Sequence, residues 1–138
     1  MESKTASFPD LNGKSIFITG GGSGIGAAIT EAFLDQGAKV SFVQRSDAKS
    51  FCDKMEANYK NRPNFIKCDI TDVSYLKKAI GEAEKKYGTI SVLVNNAAND
   101  VRHDTFEVTE EFWDSSQAIN LRSYFFAAQS VIKGMIRK

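Results

Sequence analysis

The chain has 138 residues, 42% apolar and 25% charged, a size and balance that suit one soluble domain with a core of its own. Eighteen basic residues against 17 acidic give a formal charge of +1, which leaves no electrostatic footprint for nucleic acid or an acidic membrane, and no apolar run reaches the length of a membrane span. The opening residues hold acids and no apolar core, so no secretory leader is read. Cys52 and Cys68 have neither metal-ligand spacing nor a disulfide pattern, so a reducing cytoplasm and no bound metal are expected.

In chain order, residues 1–10 read as a polar tail, and Pro9-Asp10 with Asn12-Gly13 as a turn. The apolar run 15–19 predicts a first strand that stops at Gly20, Gly21, Gly22, Gly24 and Gly26. Apolar residues then recur at helical spacing (Ile25, Ala28, Ile29, Ala32, Phe33), so a helix should run to about residue 36 with Gly37 as its stop. Residues 39–43 predict a second strand, 48–58 a helix ended near Arg62-Pro63, and 64–68 a short third strand. Thr71 or Asp72 caps the next helix, in which Val73, Leu76, Ile80, Ala83 and Tyr87 fall on one buried face, and Gly88 closes it. Residues 90–94 are almost wholly apolar, as expected of a buried parallel strand. A polar loop spans about 95–108, and Thr109 caps a helical region that continues to the last residue.

Strand and helix alternate, which imposes parallel strands and right-handed crossovers. The expected architecture is an α/β doubly wound parallel sheet of four strands, order 3-2-1-4, with the ligand crevice beside strand 1. The glycine turn falls at that crevice. Glycines there admit a phosphate close to the backbone, and the following helix offers unpaired N–H groups and a positive dipole end, so a nucleotide pyrophosphate is expected on residues 20–26. The rhythm stops after a helix and leaves strand 4 on an edge. Either another chain covers that edge, or the sequence is the N-terminal part of a longer protein.

Thr19-Gly20-Gly21-Gly22-Ser23-Gly24-Ile25-Gly26 resembles the T-G-x-x-x-G-x-G motif of short-chain dehydrogenases/reductases. Further landmarks follow in order over about residues 11–138. Asp69-Ile70 stands after strand 3, Asn95-Asn96-Ala97-Ala98 resembles the family's N-N-A-G with Ala98 in place of glycine, and Asn120 matches its helix asparagine. The resemblance implies a Rossmann-type NAD(P)-binding half-domain over 11–138. Gly20, Gly22, Ser23, Gly24, Ile25, Gly26, Asp69, Ile70, Asn96, Ala97 and Ala98 would bind cofactor, and Asn120 would order a water in a proton relay. Bland readings stand beside these: Asp69 as a local cap, and Asn95 and Asn96 as turn asparagines.

At the end of strand 2, Gln44 takes the place where NAD enzymes put a carboxylate for the ribose 2′-OH, and Arg45 follows, as suits a 2′-phosphate. This leans toward NADP over NAD, although Ser23 in the glycine turn leans mildly the other way and Gln44 can still bond a 2′-OH. Asn99-Asp100-Val101-Arg102-His103 resembles the corresponding loop of the family's sugar 1-dehydrogenases, and Trp113-Asp114 and Asn120-Leu121-Arg122 add to the likeness. Asn99, Asp100, Arg102 and His103 are therefore candidate substrate residues, against the alternative of a solvated loop whose charges pair with one another.

The family resemblance implies a serine and a Tyr-x-x-x-Lys as well, the lysine lowering the pKa of a tyrosine base. Tyr59, Tyr75, Tyr87 and Tyr124 are followed at that distance by Pro63, Ala79, Ser91 and Ala128, so none qualifies. The chain alone is expected to be inactive, and a longer parent to oxidise an aldose to its lactone. Alternatives are a reductase of a ketoacyl or secondary-alcohol substrate and a non-catalytic NAD(P)-binding protein. A Rossmann-like methyltransferase is disfavoured by Thr19 and Gln44-Arg45. By the same resemblance, the full-length form would be a homo-oligomer pairing through the helices that start near residue 109.

Overall fold

The computed structural model describes residues 6–137, so the first half of the predicted tail and the final Lys138 lie outside the described residues. After a short 3₁₀ turn at Pro9–Leu11 come β1 (Ser15–Thr19), α1 (Gly24–Asp35), β2 (Lys39–Gln44), α2 (Lys49–Tyr59), β3 (Asn64–Lys67), α3 (Val73–Tyr87) and β4 (Ile90–Val94). Beyond the 95–109 loop lie α4 (Glu110–Gln117), a π-helical segment (Ala118–Arg122) and α5 (Ser123–Ile136). The four strands are parallel in the order β3-β2-β1-β4, as the βαβ rhythm requires. In register, Thr19 lies opposite Val43 and Gln44 opposite Lys67, so the carboxyl ends of β1, β2 and β3 open onto one edge.

Period-two alternation splits the core between the two faces of the sheet. Ile16, Ile18, Val40 and Phe42 point to one side with Leu34 of α1 and Cys52 and Met55 of α2. Phe17 and Val43 point to the other side with Leu76, Ile80 and Ala83 of α3 and Ala127 and Val131 of α5. On the edge strand β4 only Ile90 is fully buried; the rest of the strand is half-buried. Among the described residues no helix is long and apolar enough to cross a membrane.

The apolar spacing read on α1 forms the helix and coincides with its inner face only in part, with Ile29 and Phe33 packed against the core. Gly26, Thr30 and Leu34 are buried, whereas Ile25 is 76% exposed and Ala28 and Ala32 are also exposed. The reason is close packing at the glycine turn. A Cβ on Gly26 would overlap the Gly20 carbonyl oxygen, so the helix presents its smallest residue there and the neighbouring Ile25 faces outward. The final helical region is likewise not one regular helix, because a π-helical segment separates α4 from α5. Thr109 does cap it, its Oγ1 accepting from Phe112 N at 3.1 Å, and Asp72 caps α3 by accepting from Tyr75 N at 3.0 Å.

Candidate nucleotide-binding cleft

The glycine turn is held from three sides. Thr30 Oγ1, fully buried, donates to the Gly21 carbonyl at 2.7 Å. Asn96 Nδ2 donates to the carbonyls of Thr19 (3.1 Å) and Gly20 (3.2 Å). Gln44 Oε1 accepts from Gly22 N at 3.0 Å. Thr19, itself buried, accepts at Oγ1 from Asn96 N and Ala97 N, both at 3.0 Å, which ties β4's exit to β1's. Gly20 and Gly24 have φ of +70° and +53°, so glycine is what lets the chain make both bends without strain.

The α1 N-terminus is left open. Ser23 sits at its cap position, yet its hydroxyl makes no cap bond, in contrast to Asp72 and Thr109. The first-turn N–H groups, with the dipole behind them, suit an anion.

Beside this turn lies a cleft of about 490 Å³. Of the predicted cofactor residues, Gly20, Ser23, Gln44, Arg45, Asp69, Ile70, Ala97 and Ala98 line it, joined by Asn99. Gly22, Gly24, Ile25, Gly26 and Asn96 are not among its lining residues; they belong to the turn, the helix start and the brace behind them. Val43, Ser46, Cys68 and Ile119 also line it and were not anticipated. Three of these sit at or just beyond the ends of β2 and β3, a position that alone would have flagged them.

Asp69 closes the local turn weighed for it in sequence and also lines the cleft. Its Oδ1 accepts from Thr71 N (2.9 Å) and Thr71 Oγ1 (2.7 Å), closing a local turn, while the residue stays in the cleft wall. Those two bonds, with a smaller contribution from Arg45, hold its carboxyl below the ordinary range, so it is ionised at neutral pH. Arg45 is exposed and makes no hydrogen bond or ion pair among the described residues. Burial pushes the adjoining Cys68 thiol up to about 11, with Asp69 and Asp72 adding to the shift, so it is a neutral wall group.

Asn120, on the π-helical segment, lies behind the cleft. Its Oδ1 accepts from Asn99 N at 2.9 Å and its Nδ2 donates to Asn99 O at 2.7 Å, a two-point grip on the loop after β4. On the same segment, Arg122 donates to the Thr71 carbonyl at 2.8 Å and so braces the loop after β3. The four candidate substrate residues are not gathered together. Asn99 is in the cleft wall, with its Oδ1 accepting from Val101 N, while Asp100, Arg102 and His103 stand exposed farther along the loop. The His103 ring stacks on Phe112 with centroids 3.8 Å apart. Among the described residues the loop's charges form no ion pairs with one another.

A parallel sheet of order β3-β2-β1-β4 with an uncapped glycine-rich helix start at its switch point defines a Rossmann-type fold. The short chain dehydrogenase profile matches residues 14–138, and the chain belongs to that family. It is 46% identical to a probable galactose dehydrogenase of Rhizobium meliloti over 97% of this chain and 53% of that protein. It is 40% identical to a D-xylose 1-dehydrogenase of Caulobacter vibrioides, with the same two coverages of 97% and 53%. A solved blue fluorescent protein from a metagenomic library, in complex with NADPH, superimposes with a TM-score of 0.83 at 32% identity, over 91% of this chain and 52% of that one. The chain thus spans about half the length of the relatives it matches.

Proposed function

We propose that this chain is the cofactor-binding half of an NAD(P)-dependent dehydrogenase that oxidises an aldose at its anomeric carbon to the lactone. The observation that carries the reading is the match, along 97% of the chain, to two proteins named as galactose and xylose dehydrogenases. The residues present suit the cofactor. The open α1 N-terminus at Ser23–Gly26 would hold the pyrophosphate, the Asp69 carboxylate would accept from the adenine amino group, and Arg45 would face a ribose 2′-phosphate, which favours NADP over NAD. When bound, the nicotinamide supplies the hydride acceptor.

Asn99 would meet the sugar from the cleft wall, with Asp100, Arg102 and His103 supplying further acceptors and donors if the loop folds over it. Asn120 acts as a positioning residue, because both ends of its amide are spent on Asn99. No tyrosine in this chain has a lysine four residues on. We therefore assign the serine, tyrosine and lysine that move the proton to the part of the relatives' length outside this chain, and we assign pairing of subunits to α4 and α5. The test is a protein of the relatives' full length that begins with this sequence. It should oxidise one or more of xylose, galactose, fucose and arabinose with NADP⁺, while the 138-residue chain gives no turnover. Inertness toward all four sugars together with reduction of a ketoacyl substrate would overturn the reading.

A further inference from the structure

The outward side of α1 is the floor of a second hollow, of about 570 Å³, which shares no lining residue with the cleft. Ala28, Glu31, Ala32, Asp35 and Gln36 line it at the three- and four-residue spacing of one helix face. Ala28 and Ala32 are exposed, and their small side chains leave the room above the helix. Aromatic rings form the walls. Phe33 and, from α2, Tyr59 are half-buried and packed against the core. Phe8 is 57% exposed, yet its segment is tied to α1 by the Gln36 amide: Phe8 N donates to Oε1 at 2.6 Å, and Nε2 donates to the Ala6 carbonyl at 3.4 Å.

The charge in this hollow has one sign. Among the described residues, the half-buried Glu31 and the exposed Asp35 are its only charged lining groups, and neither forms an ion pair. They stand four residues apart, where like charges on a helix repel. They also fall toward the carboxyl end of α1, whose last turn holds no basic residue, so the negative end of the dipole adds to the repulsion. The one donor on Glu31 is neutral, the Tyr59 hydroxyl at 2.8 Å. We propose that the hollow binds a small organic ammonium ion, with its apolar body on Ala28, Ala32 and the rings and its cationic head at Glu31 and Asp35. Aromatic faces and carboxylates both attract an alkylated ammonium, the first through the ring quadrupole and the second through charge. An anion would meet two carboxylates and no cation, and a neutral apolar molecule would leave the two acids unrelieved. The volume is that of a site for a drug-sized molecule. The proposal does not depend on the dinucleotide reading.

The probe is benzyltrimethylammonium, with phenylmethanesulfonate as a molecule of similar body and opposite charge. Amide NMR spectra of the 138-residue chain should show saturable shifts centred on residues 28–36 and Phe8, with a Kd of about 1–10 mM, as fits so small a ligand. The sulfonate should give none. Glu31→Gln combined with Asp35→Asn keeps the shape and removes the charge, and affinity for the cation should fall by about threefold or more. Ala32→Lys places a tethered ammonium in the hollow and should abolish the shifts. None of the three substituted residues is fully buried, and the same spectra report whether each variant is folded. Absence of saturable shifts, shifts centred elsewhere, equal shifts from the sulfonate, or undiminished affinity in either variant overturns the proposal.

Discussion

At the scale of single residues, what holds the cleft is a set of polar groups bonded to the glycine turn. Thr30 is the sharpest case. Its hydroxyl is wholly buried and donates to Gly21, and valine has the same shape without the donor. Thr30→Val should leave a buried carbonyl unpaired and cost about 1–3 kcal/mol, read as a lower urea midpoint with an unchanged m value. Cys68 gives a pH signature. Its folded pKa is raised to about 11 from an ordinary 9.0, so the folded state resists losing the proton. Its contribution to stability is whole below about pH 9, because the thiol is protonated in both states. As pH rises toward 11 the unfolded thiol ionises first and stability falls, by roughly 2 kcal/mol in all. Urea unfolding of Cys68→Ala across this range should show a shallower decline. Cys52, Tyr59 and Tyr87 are shifted in the same direction and leave a residual slope. Sequence spacing located Gly20, Ser23, Arg45 and Asp69 in the cleft wall, because a glycine turn and strand ends are local signals. Thr30 and Gln44 reach the turn across 9 and 22 residues, and only the folded chain brings them there.

At the scale of elements, every strand and its order followed from the alternation of apolar runs with helical periodicity, since a parallel sheet has few ways to connect. Helix faces were less uniformly legible. On α3 the spaced apolar residues are the buried ones, with Leu76, Ile80 and Ala83 wholly inside and Val73 and Tyr87 at the margin. On α1 the apolar spacing announced the helix but matched its inner face only in part: Ile29 and Phe33 pack against the core, while Gly26 takes the contact with the glycine turn and Ile25, Ala28 and Ala32 stay outside. The π-helical segment carried no readable signal. Yet it is the element that gives Asn120 its grip on the loop after β4 and Arg122 its bond to the loop after β3. A single residue of helical phase there sets two walls of the cleft at once. Asn120 was legible as a polar group in a helix; that its amide is spent on Asn99 was not.

At the scale of the whole molecule, two features share one side of the sheet's end: β4 is an edge strand, and α5 packs near it with an apolar row facing outward. Phe125, Ile132 and Ile136 are 60%, 51% and 76% exposed, and Leu121 of the preceding segment is 62% exposed. Their spacing of four, seven and four residues places them on a common helical face. A row of that size, next to unpaired strand backbone, favours association in water. Sedimentation of the chain should therefore show mass rising with concentration. Changing Ile132 and Ile136 together to lysine should shift the population toward monomer. It should move the unfolding midpoint little, since exposed side chains contribute within about 0.5 kcal/mol. The lysines bear on the helix row and leave the strand edge as it was. If the double variant associates as strongly as before, contact runs through the backbone of β4, and the α5 row is not the surface that a partner covers.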